Sequence, residues 1–479
     1  MKALSRPTIS EMLNVKRVAI VGVSAKLGYY WVYSMLQWKH DLDVWLLSKN
    51  SGEVLGKQIY TDLEQIPEPI DYAIIAVPKR YVASVLKDVS EKGAKGATIF
   101  TSGFSELGTA EGRQAEEELS SLAKTLPTRV LGPNCMGLLV PKTGFAFMPT
   151  IERGIGDIGF LSQSGGVAIA TYTAGVEAGL GFSKVFSFGN SIDITPSEIM
   201  QFLKDDSDTK VVGAYIEGTK EGEALFHAML ELASKKPVVA LKGGRTAEGS
   251  RAASSHTGAL AGSNDIWHAA FRQTNIPVVR TLEEMLSTLS VFSLCPAPAS
   301  RNVAVVAISG GASVIYTDLI IEHGLKAPKT SDSTISELAM LIRDVGTGLG
   351  NPIDLAADYY DDETVRKVIR LVGGEKNFDS IILEADVHNM YQVATIMNAQ
   401  DVLSDYWEAM AETGHEIMVE HKKPVMIAIP EVAYPQARNQ AWKTFVKHKL
   451  PVMKNITEAV GALSRVCNYY DTQRSRSED

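Results

Sequence analysis

Short runs of β-branched and aromatic residues alternate along the chain with longer stretches whose apolar residues recur at helical spacing. This alternation is typical of parallel strands joined by crossover helices, because tight turns cannot connect parallel strands. It predicts an α/β protein with parallel sheets. Strands are predicted at residues 17–23, 43–47, 71–77, 97–100, 129–132, 158–161, 184–188, 211–216, 237–241, 302–308, 379–385 and 424–429.

A chain of 479 residues is too long for one hydrophobic core, and the predicted strands fall into three sets. The second set follows the glycine-rich segment 154–159, and the third opens at Asn302. Between these sets, Leu294-Cys-Pro-Ala-Pro-Ala-Ser-Arg301 contains two prolines and no periodicity, which is typical of a linker. We therefore predict domains at residues 1–140, 141–296 and 297–479.

The composition argues against several classes of protein. A net charge of -9 without long basic runs disfavours nucleic-acid binding. Three cysteines, none in a CxxC pair, disfavour a disulfide framework and a cysteine-rich zinc site. The N-terminus has no signal-peptide core, and no apolar run reaches the roughly 18 residues of a membrane span. We expect a cytoplasmic protein that binds neither nucleic acid nor membranes.

The first predicted strand runs into the glycine turn Gly22-Val-Ser-Ala-Lys-Leu-Gly28. Glycines let a backbone come close to a ligand, and a following helix offers free N–H groups to an anion, so the turn could hold a phosphate. The turn is not a GxGxxG, and a purely structural turn is an equal alternative. After the second strand the chain reads Leu47-Ser-Lys-Asn50, without the acidic residue that holds the ribose in an NAD site. Lysine there favours a ligand with an additional phosphate, such as CoA or NADP.

A second anion site is predicted where the strand at 158–161 meets Ser162-Gln-Ser-Gly-Gly166. Two hydroxyls, two glycines and a helix N-terminus all favour negative charge, although a plain helix cap is the alternative. A serine nucleophile is disfavoured because the GxSxG pattern is absent.

His256 is isolated among small residues in Arg251-Ala-Ala-Ser-Ser-His-Thr-Gly-Ala-Leu260, inside a long polar loop of the kind that is usually functional or disordered. Its small neighbours would let a phosphate reach the ring, whereas a solvated histidine is the plain alternative. Metal ligation is poorly supported, since His227, His256 and His268 lack the spacing of a metal-binding helix. Glu217, at a strand end, is the candidate acceptor that would orient the imidazole.

Seven motifs, distributed over nearly the whole chain, carry a resemblance to a known family. They are Thr101-Ser-Gly-Phe-Ser-Glu106, Leu131-Gly-Pro-Asn-Cys-Met-Gly137, Ser162-Gln-Ser-Gly-Gly166, Phe188-Gly-Asn-Ser-Ile-Asp193, Tyr215-Ile-Glu-Gly218, residues 244–262 and Asn351-Pro-Ile-Asp-Leu355. In this order they resemble the α subunit of the NDP-forming acyl-CoA synthetases, the superfamily of ADP-forming acetyl-CoA synthetase and succinyl-CoA synthetase. The resemblance implies a CoA-binding Rossmann-like domain followed by two flavodoxin-like CoA-ligase domains.

The resemblance also implies a reversible reaction in which a small carboxylic acid, CoA and ATP give acyl-CoA, ADP and phosphate. The phosphoryl group would pass between an acyl phosphate and His256, with Glu217 orienting the imidazole. The implied phosphate-binding residues are Ser162, Ser164, Gly165 and Gly166, with the acyl pocket near them and near Gly189 and Asn190. The implied CoA-binding residues are Gly22, Ser24, Lys26, Asn50, Val77, Pro78, Ser102 and Asn134.

No stretch of the sequence resembles an ATP-grasp domain, which binds the nucleotide in this superfamily. The resemblance therefore implies that ATP and Mg²⁺ bind to a partner β subunit, in an α2β2 heterotetramer. Two alternatives are a CoA-binding regulatory protein without catalysis and an NADP-linked oxidoreductase.

The sequence departs from the pattern of its relatives at three turns. Gly28 is followed by Tyr29 where relatives commonly carry a lysine, and Ser48-Lys49-Asn50 replaces their Asn-Pro-Lys. Ile308-Ser-Gly-Gly-Ala-Ser313 stands where relatives have Gly-Gly-Pro-Gly. The first two departures imply either rearranged contacts to the CoA phosphates or a cofactor other than CoA.

Overall fold

The computed structural model describes residues 6–251, 263–343, 346–431 and 433–478. The chain divides into two compact units, Met1–Arg280 and Thr281–Asp479. Each unit is built from mostly parallel strands with helices between them, so the predicted α/β class is confirmed. Within the described residues, no helix is both long and apolar enough to cross a membrane.

The first unit begins with a seven-stranded sheet in the order β3-β4-β2-β1-β5-β6-β7. Its strands are β1 (Arg17–Val21), β2 (Asp43–Leu47), β3 (Gly52–Val54), β4 (Lys57–Tyr60), β5 (Tyr72–Ile75), β6 (Gly96–Ile99) and β7 (Arg129–Leu131). Its helices are α1 (Ile9–Leu13), α2 (Tyr30–Leu36), α3 (Lys79–Glu91) and α4 (Ala110–Thr125). Strands β5 and β6 are buried along their whole length, because helices cover the faces of a parallel sheet.

The first unit also contains a six-stranded sheet in the order β13-β12-β11-β9-β10-β8, in which β8 pairs antiparallel with β10. Its strands are β8 (Gly137–Leu139), β9 (Ile155–Ser162), β10 (Phe182–Ser187), β11 (Val211–Ile216), β12 (Val238–Lys242) and β13 (Val278–Val279). Its helices are α5 (Gly165–Glu177), α6 (Pro196–Asp205), α7 (Gly222–Lys235) and α8 (Asn264–Thr274).

A partly buried ion-pair network joins the two sheets of the first unit. The carboxylate of Asp193 accepts hydrogen bonds from Arg6 Nη1 at 2.7 Å and from Arg129 Nε at 3.1 Å. Arg129, in β7, also pairs with Glu198 of α6 at 2.6 Å. These contacts fix the sheets against each other, so the ends of their strands can form one site.

The second unit contains a five-stranded parallel sheet in the order β15-β14-β16-β17-β18. Its strands are β14 (Val303–Ala307), β15 (Ile353–Asp354), β16 (Ser380–Glu384), β17 (Val425–Ala428) and β18 (Val452–Met453). Its helices are α9 (Leu282–Leu294), α10 (Gly310–Glu322), α11 (Asp332–Leu338), α12 (Asp362–Gly374), α13 (Val387–Ile396), α14 (Leu403–Glu420), α15 (Pro435–Lys447) and α16 (Ile456–Glu478).

Two segments differ from the sequence-based expectation. Strand β9 begins at Ile155, inside the glycine-rich segment expected to precede it. The glycines there serve close packing, since a Cβ on Gly156 would lie 2.4 Å from the Cα of Gly181. The segment predicted as a linker, 294–301, lies within the second unit, where Arg474 of α16 donates a hydrogen bond to the carbonyl of Pro298 at 3.0 Å.

Candidate active site

The carboxyl ends of the strands in the first unit open into a cleft of about 1630 Å³. Parallel strands bring their carboxyl ends to one edge of a sheet, which is where ligands of open α/β folds bind. The predicted site residues that line this cleft are Gly22, Ser24, Lys26, Val77, Pro78, Ser102, Asn134, Ser164, Gly165 and Gly166. Asn50, Ser162 and Glu217 do not belong to this lining set.

Gly22 allows a close approach of backbone to backbone at the base of the cleft. Its φ is 103°, and a Cβ there would lie 2.3 Å from the carbonyl oxygen of Ala76. The next turn is shaped by Ser24, whose hydroxyl accepts a hydrogen bond from the N–H of Lys26 at 3.2 Å. Because of the short distance to Ala76, the side chain of any other residue at position 22 would force the ends of β1 and β5 apart.

Two cationic side chains line the cleft beside Tyr81: Lys49, the lysine that the sequence associated with a ligand carrying an additional phosphate, and Arg80, which the sequence did not single out. Lys49 Nζ donates to the Tyr81 hydroxyl at 3.2 Å and lies 4.5 Å from the ring centroid, while the Arg80 guanidinium lies 4.8 Å from the same centroid. The interaction with Arg80, followed by that with Lys49, lowers the pKa of Tyr81. Asn50 is exposed and its neighbour Lys49 lines the cleft instead.

The first turn of α5 presents backbone N–H groups to the cleft. The Ser164 hydroxyl caps the helix by accepting from the N–H of Val167 at 3.3 Å. A Cβ on Gly165 would lie 2.7 Å from Met136 Cγ, whereas the nearest atom to a Cβ on Gly166 is Ser164 Oγ at 3.8 Å. Gly165 is therefore required for packing, and Gly166 borders open space.

Ser162 shapes this turn from beneath. It is fully buried, and its hydroxyl donates to the carbonyl of Ser164 at 2.6 Å and accepts from the N–H of Ser164 at 3.2 Å. The next residue, Gln163, accepts hydrogen bonds at Oε1 from the N–H groups of Glu217 at 2.8 Å and Gly218 at 3.1 Å. The helix start and the turn that carries Glu217 are thus joined by side-chain hydrogen bonds.

Glu217 follows β11 and is only 6% exposed. Its Oε1 accepts a hydrogen bond from the Tyr215 hydroxyl at 3.0 Å, while its buried Oε2 has no hydrogen-bond partner among the described residues. Burial raises the pKa of Tyr215, and the adjacent Glu217 raises it further, so the hydroxyl stays protonated and donates. Gly243 leaves space for both side chains, since a Cβ there would lie 2.8 Å from the Tyr215 hydroxyl and 3.1 Å from Glu217 Cγ.

His256 and its neighbours at 252–262 lie outside the described residues. Before this segment, Gly243 lies next to the side chain of Glu217. After it, α8 begins at Asn264. The indole ring of Trp267, in α8, lies 5.1 Å from the Nζ of Lys242, whose ammonium donates to the carbonyl of Glu217. The described parts of the chain on both sides of the segment are therefore connected to the Glu217 turn.

Asn190 and Asn134 lie together where the two sheets meet the cleft. Asn134 Nδ2 donates to Asn190 Oδ1 at 3.4 Å, and Asn190 Nδ2 donates to Glu106 and Glu116, each at 2.7 Å. Burial raises the pKa of Glu116, but hydrogen bonds from Ser105 and the others around it outweigh burial and lower the pKa overall. Two glutamates therefore hold the side chain of Asn190, which lines the cleft.

Two family models match the first unit and the first residues of the second, and they define the class of protein. Residues 16–141 match a CoA binding domain, and residues 155–292 match a succinyl-CoA ligase like flavodoxin domain. The two matches contain the residues of the cleft and the Glu217 turn. The fold is therefore that of CoA-dependent ligases.

Comparisons with individual proteins identify the family. The chain is 35% identical over 374 residues to acetate–CoA ligase (ADP-forming) II subunit alpha of Pyrococcus furiosus, covering 77% of this chain and 80% of that one. It is 29% identical to acetate–CoA ligase (ADP-forming) II of Archaeoglobus fulgidus, covering 97% of this chain and 67% of the longer relative. The chain belongs to the α-subunit family of the ADP-forming acyl-CoA synthetases, as its motifs predicted.

A solved structure has the same fold over almost the entire chain. Acetyl-coenzyme A synthetase 1 of Ca. Korarchaeum cryptofilum, in complex with phosphate and ADP, superimposes with a TM-score of 0.84 at 25% identity. The match covers 98% of both chains. It therefore includes both compact units.

Proposed function

We propose that this chain is the α subunit of an ADP-forming acyl-CoA synthetase. The complete enzyme would convert a small carboxylic acid, CoA and ATP reversibly into acyl-CoA, ADP and phosphate. His256 of this chain would carry the phosphoryl group. The observation that carries the proposal is the buried, unpartnered Oε2 of Glu217. Family membership and the cleft support the same reaction.

A buried acceptor without a donor costs about 1 to 3 kcal/mol, so the Glu217 turn is expected to receive a donor during function. An imidazole N–H is the donor that the chain supplies, because the described residues before and after the His256 segment connect to this turn. Accepting a hydrogen bond from one ring nitrogen would leave the other free to bond phosphorus. Glu217 would also offset the positive charge that the ring gains.

The phosphoryl group would be held at the first turn of α5. Backbone N–H groups at Gly165 and Gly166 favour negative charge, the helix dipole adds to them, and Ser164 lines the cleft beside them. Ser162 would act through the turn, since its hydroxyl is occupied by Ser164. The acyl group would lie nearby, beside Asn190.

CoA would occupy the cleft along the first sheet, where glycine permits close approach and cations can meet phosphates. The proposed binding residues are Gly22, Ser24, Lys26, Asn50, Val77, Pro78, Ser102 and Asn134, to which the structure adds Lys49 and Arg80. Asn50 has the least structural support of this set, because it is exposed and outside the lining. When bound, CoA supplies the thiol that accepts the acyl group.

ATP and Mg²⁺ would bind to an ATP-grasp β subunit in an α2β2 assembly. The subunit name of the P. furiosus relative and the greater length of the A. fulgidus relative support a partner for this chain. The three-domain division at 1–140, 141–296 and 297–479 and a cytoplasmic location are retained as parts of the proposal.

The test is turnover with ATP, Mg²⁺, CoA and a panel of small acids beginning with acetate, by the chain alone and with its β subunit. Turnover should require the partner and disappear in His256→Ala, while the exposed control His227→Ala stays active. Turnover by the chain alone would contradict the proposal that ATP binds to a separate β subunit. Unchanged turnover in His256→Ala would exclude His256 as phosphoryl carrier, and CoA binding without any turnover would favour the regulatory alternative.

A further inference from the structure

Lys242 is a buried cation for which the proposed reaction has so far given no role. It ends β12 and is 2% exposed. Burial of a lysine without a partner is costly, so the contacts of its ammonium group indicate what it does. Its Nζ donates to the carbonyl of Glu217 at 2.7 Å and to the carbonyl of Gly243, and lies 5.1 Å from the centroid of the Trp267 ring.

These three contacts belong to three different segments around the Glu217 carboxylate. Glu217 begins the turn after β11, Gly243 begins the chain that leads to residues 252–262, and Trp267 belongs to the helix after them. The ammonium approaches the main chain of Glu217 and leaves the carboxylate to Tyr215. A single side chain therefore fixes the acceptor and both described flanks of the His256 segment.

We propose that Lys242 is a positioning residue for phosphoryl transfer, which holds the Glu217 turn and the two flanks of the His256 segment in register. This inference rests on the proposed function, because it presupposes that Glu217 receives the imidazole. Lys242 does not touch the substrate in this scheme. It acts by fixing the direction in which the free Oε2 of Glu217 points.

The same strand offers a matched control at its other end. Lys236, just before β12, donates from Nζ to the carbonyls of Leu203 at 2.7 Å and Asp206 at 2.6 Å. It therefore also joins two main-chain carbonyls, but at the opposite edge of the sheet, away from Glu217. Substitution of Lys236 therefore shows how much the loss of such a lysine, which joins two carbonyls, affects labelling and stability when the Glu217 turn is left intact.

The test compares Lys242→Met, Lys242→Gln, Lys242→Arg and Lys236→Met in the complex with the β subunit. The measurements are the rate of label transfer from γ-labelled ATP to His256, the CoA dissociation constant and thermal unfolding. We expect Lys242→Met to slow labelling roughly 10- to 100-fold, as loss of a residue that orients a functional group does, with CoA affinity within about twofold. Lys242→Arg should recover part of the rate, and Lys236→Met should label at the wild-type rate.

Wild-type labelling by Lys242→Met would overturn the role of Lys242, as would equal slowing by Lys236→Met. If Lys242→Met does not fold, Lys242→Gln and Lys242→Arg decide the matter, since a rate in the glutamine variant equal to wild type would also overturn the proposal. A wild-type complex that is not labelled at His256 would instead refute the proposed function. The two failures are therefore distinguishable.

Discussion

Tyr215 donates a hydrogen bond to one oxygen of Glu217, at 3.0 Å, and the other oxygen of the same buried carboxylate has no partner among the described residues. The two residues are separated by one position, so they lie on the same side of the chain at the end of β11. The tyrosine fixes the carboxylate and leaves one acceptor available. This asymmetry is what an orienting group for an imidazole requires.

Glu217→Gln should abolish most of the phosphorylation of His256 and leave CoA binding intact. The amide keeps the shape but lacks the charge that stabilises an imidazolium, so we expect a loss of roughly 100-fold, within the range typical of acid–base partners. The measurement is label transfer from ATP in the complex with the β subunit. Glu223→Gln, an exposed change on α7, is the control and should label normally. Equal labelling of both variants would remove Glu217 from the mechanism.

At the start of α5, Gly165→Ala should mainly lower the stability of the protein, whereas Gly166→Ala should mainly impair phosphate binding. Alanine at 165 meets Met136 and should destabilise the protein by about 1 kcal/mol or more. Alanine at 166 has space and should stabilise the helix by about 0.5 to 1 kcal/mol, yet its methyl group would border the proposed phosphate site and slow His256 labelling. Thermal unfolding and labelling of both variants measure these effects. A Gly166→Ala protein with undiminished phosphoryl transfer would show that the phosphate binds elsewhere.

Lys49→Ala should weaken CoA binding more than Asn50→Ala. Lys49 lines the cleft beside Tyr81, whereas Asn50 is exposed outside the lining. A charge-assisted contact to phosphate at a partly solvated site should contribute about 1 kcal/mol, or roughly fivefold in the dissociation constant. Calorimetric titration with CoA at two salt concentrations should show a smaller salt dependence for Lys49→Ala. Indistinguishable affinities of the two variants would place the CoA phosphates away from Lys49.

The buried Lys242 should make the stability of the folded protein depend on pH. Burial lowers its pKa from the ordinary 10.5 to about 8, against the attraction of Glu217. The folded state therefore disfavours the charged amine, and this cost is fully present below pH 8 and is relieved as the pH rises from about 8 to 10.5. The free energy of unfolding of wild type, relative to Lys242→Met, should rise by roughly 3 kcal/mol across this window. Parallel pH curves for the two proteins in urea unfolding would contradict the shift.

Much of the fold could be predicted from the sequence, because buried parallel strands are continuous apolar runs and their helices carry spaced apolar residues. Strands β1, β2 and β14 lie inside the predicted ranges. The short strands β3, β4, β8, β13, β15 and β18 were missed, because two to four residues show no clear periodicity. The start of β9 was missed because its glycines are required by the neighbouring Gly181, a contact distant in sequence.

Site residues that lie in a local sequence motif could be predicted, whereas residues whose role depends on contacts with segments distant in sequence could not. The Ser164 turn has a local signature of hydroxyls and glycines before a helix. Gln163 and Lys242 have no such signature, since their importance depends on hydrogen bonds to Glu217 from neighbouring strands. The sequence associated the lysine at position 49 with a phosphate-bearing ligand, and the structure adds that Lys49 lines the cleft while the adjacent Asn50 does not. Polar residues at the carboxyl ends of predicted strands are the signal that could have found Gln163 and Lys242.

The most direct test of the central claim is to map the phosphate after incubating the chain with its β subunit, Mg²⁺ and γ-labelled ATP. We expect one acid-labile, base-stable phosphate on His256, which is discharged by carboxylic acid and CoA and is strongly reduced in Glu217→Gln. A stable label on another residue, or full turnover without any phosphorylated histidine, would contradict the account.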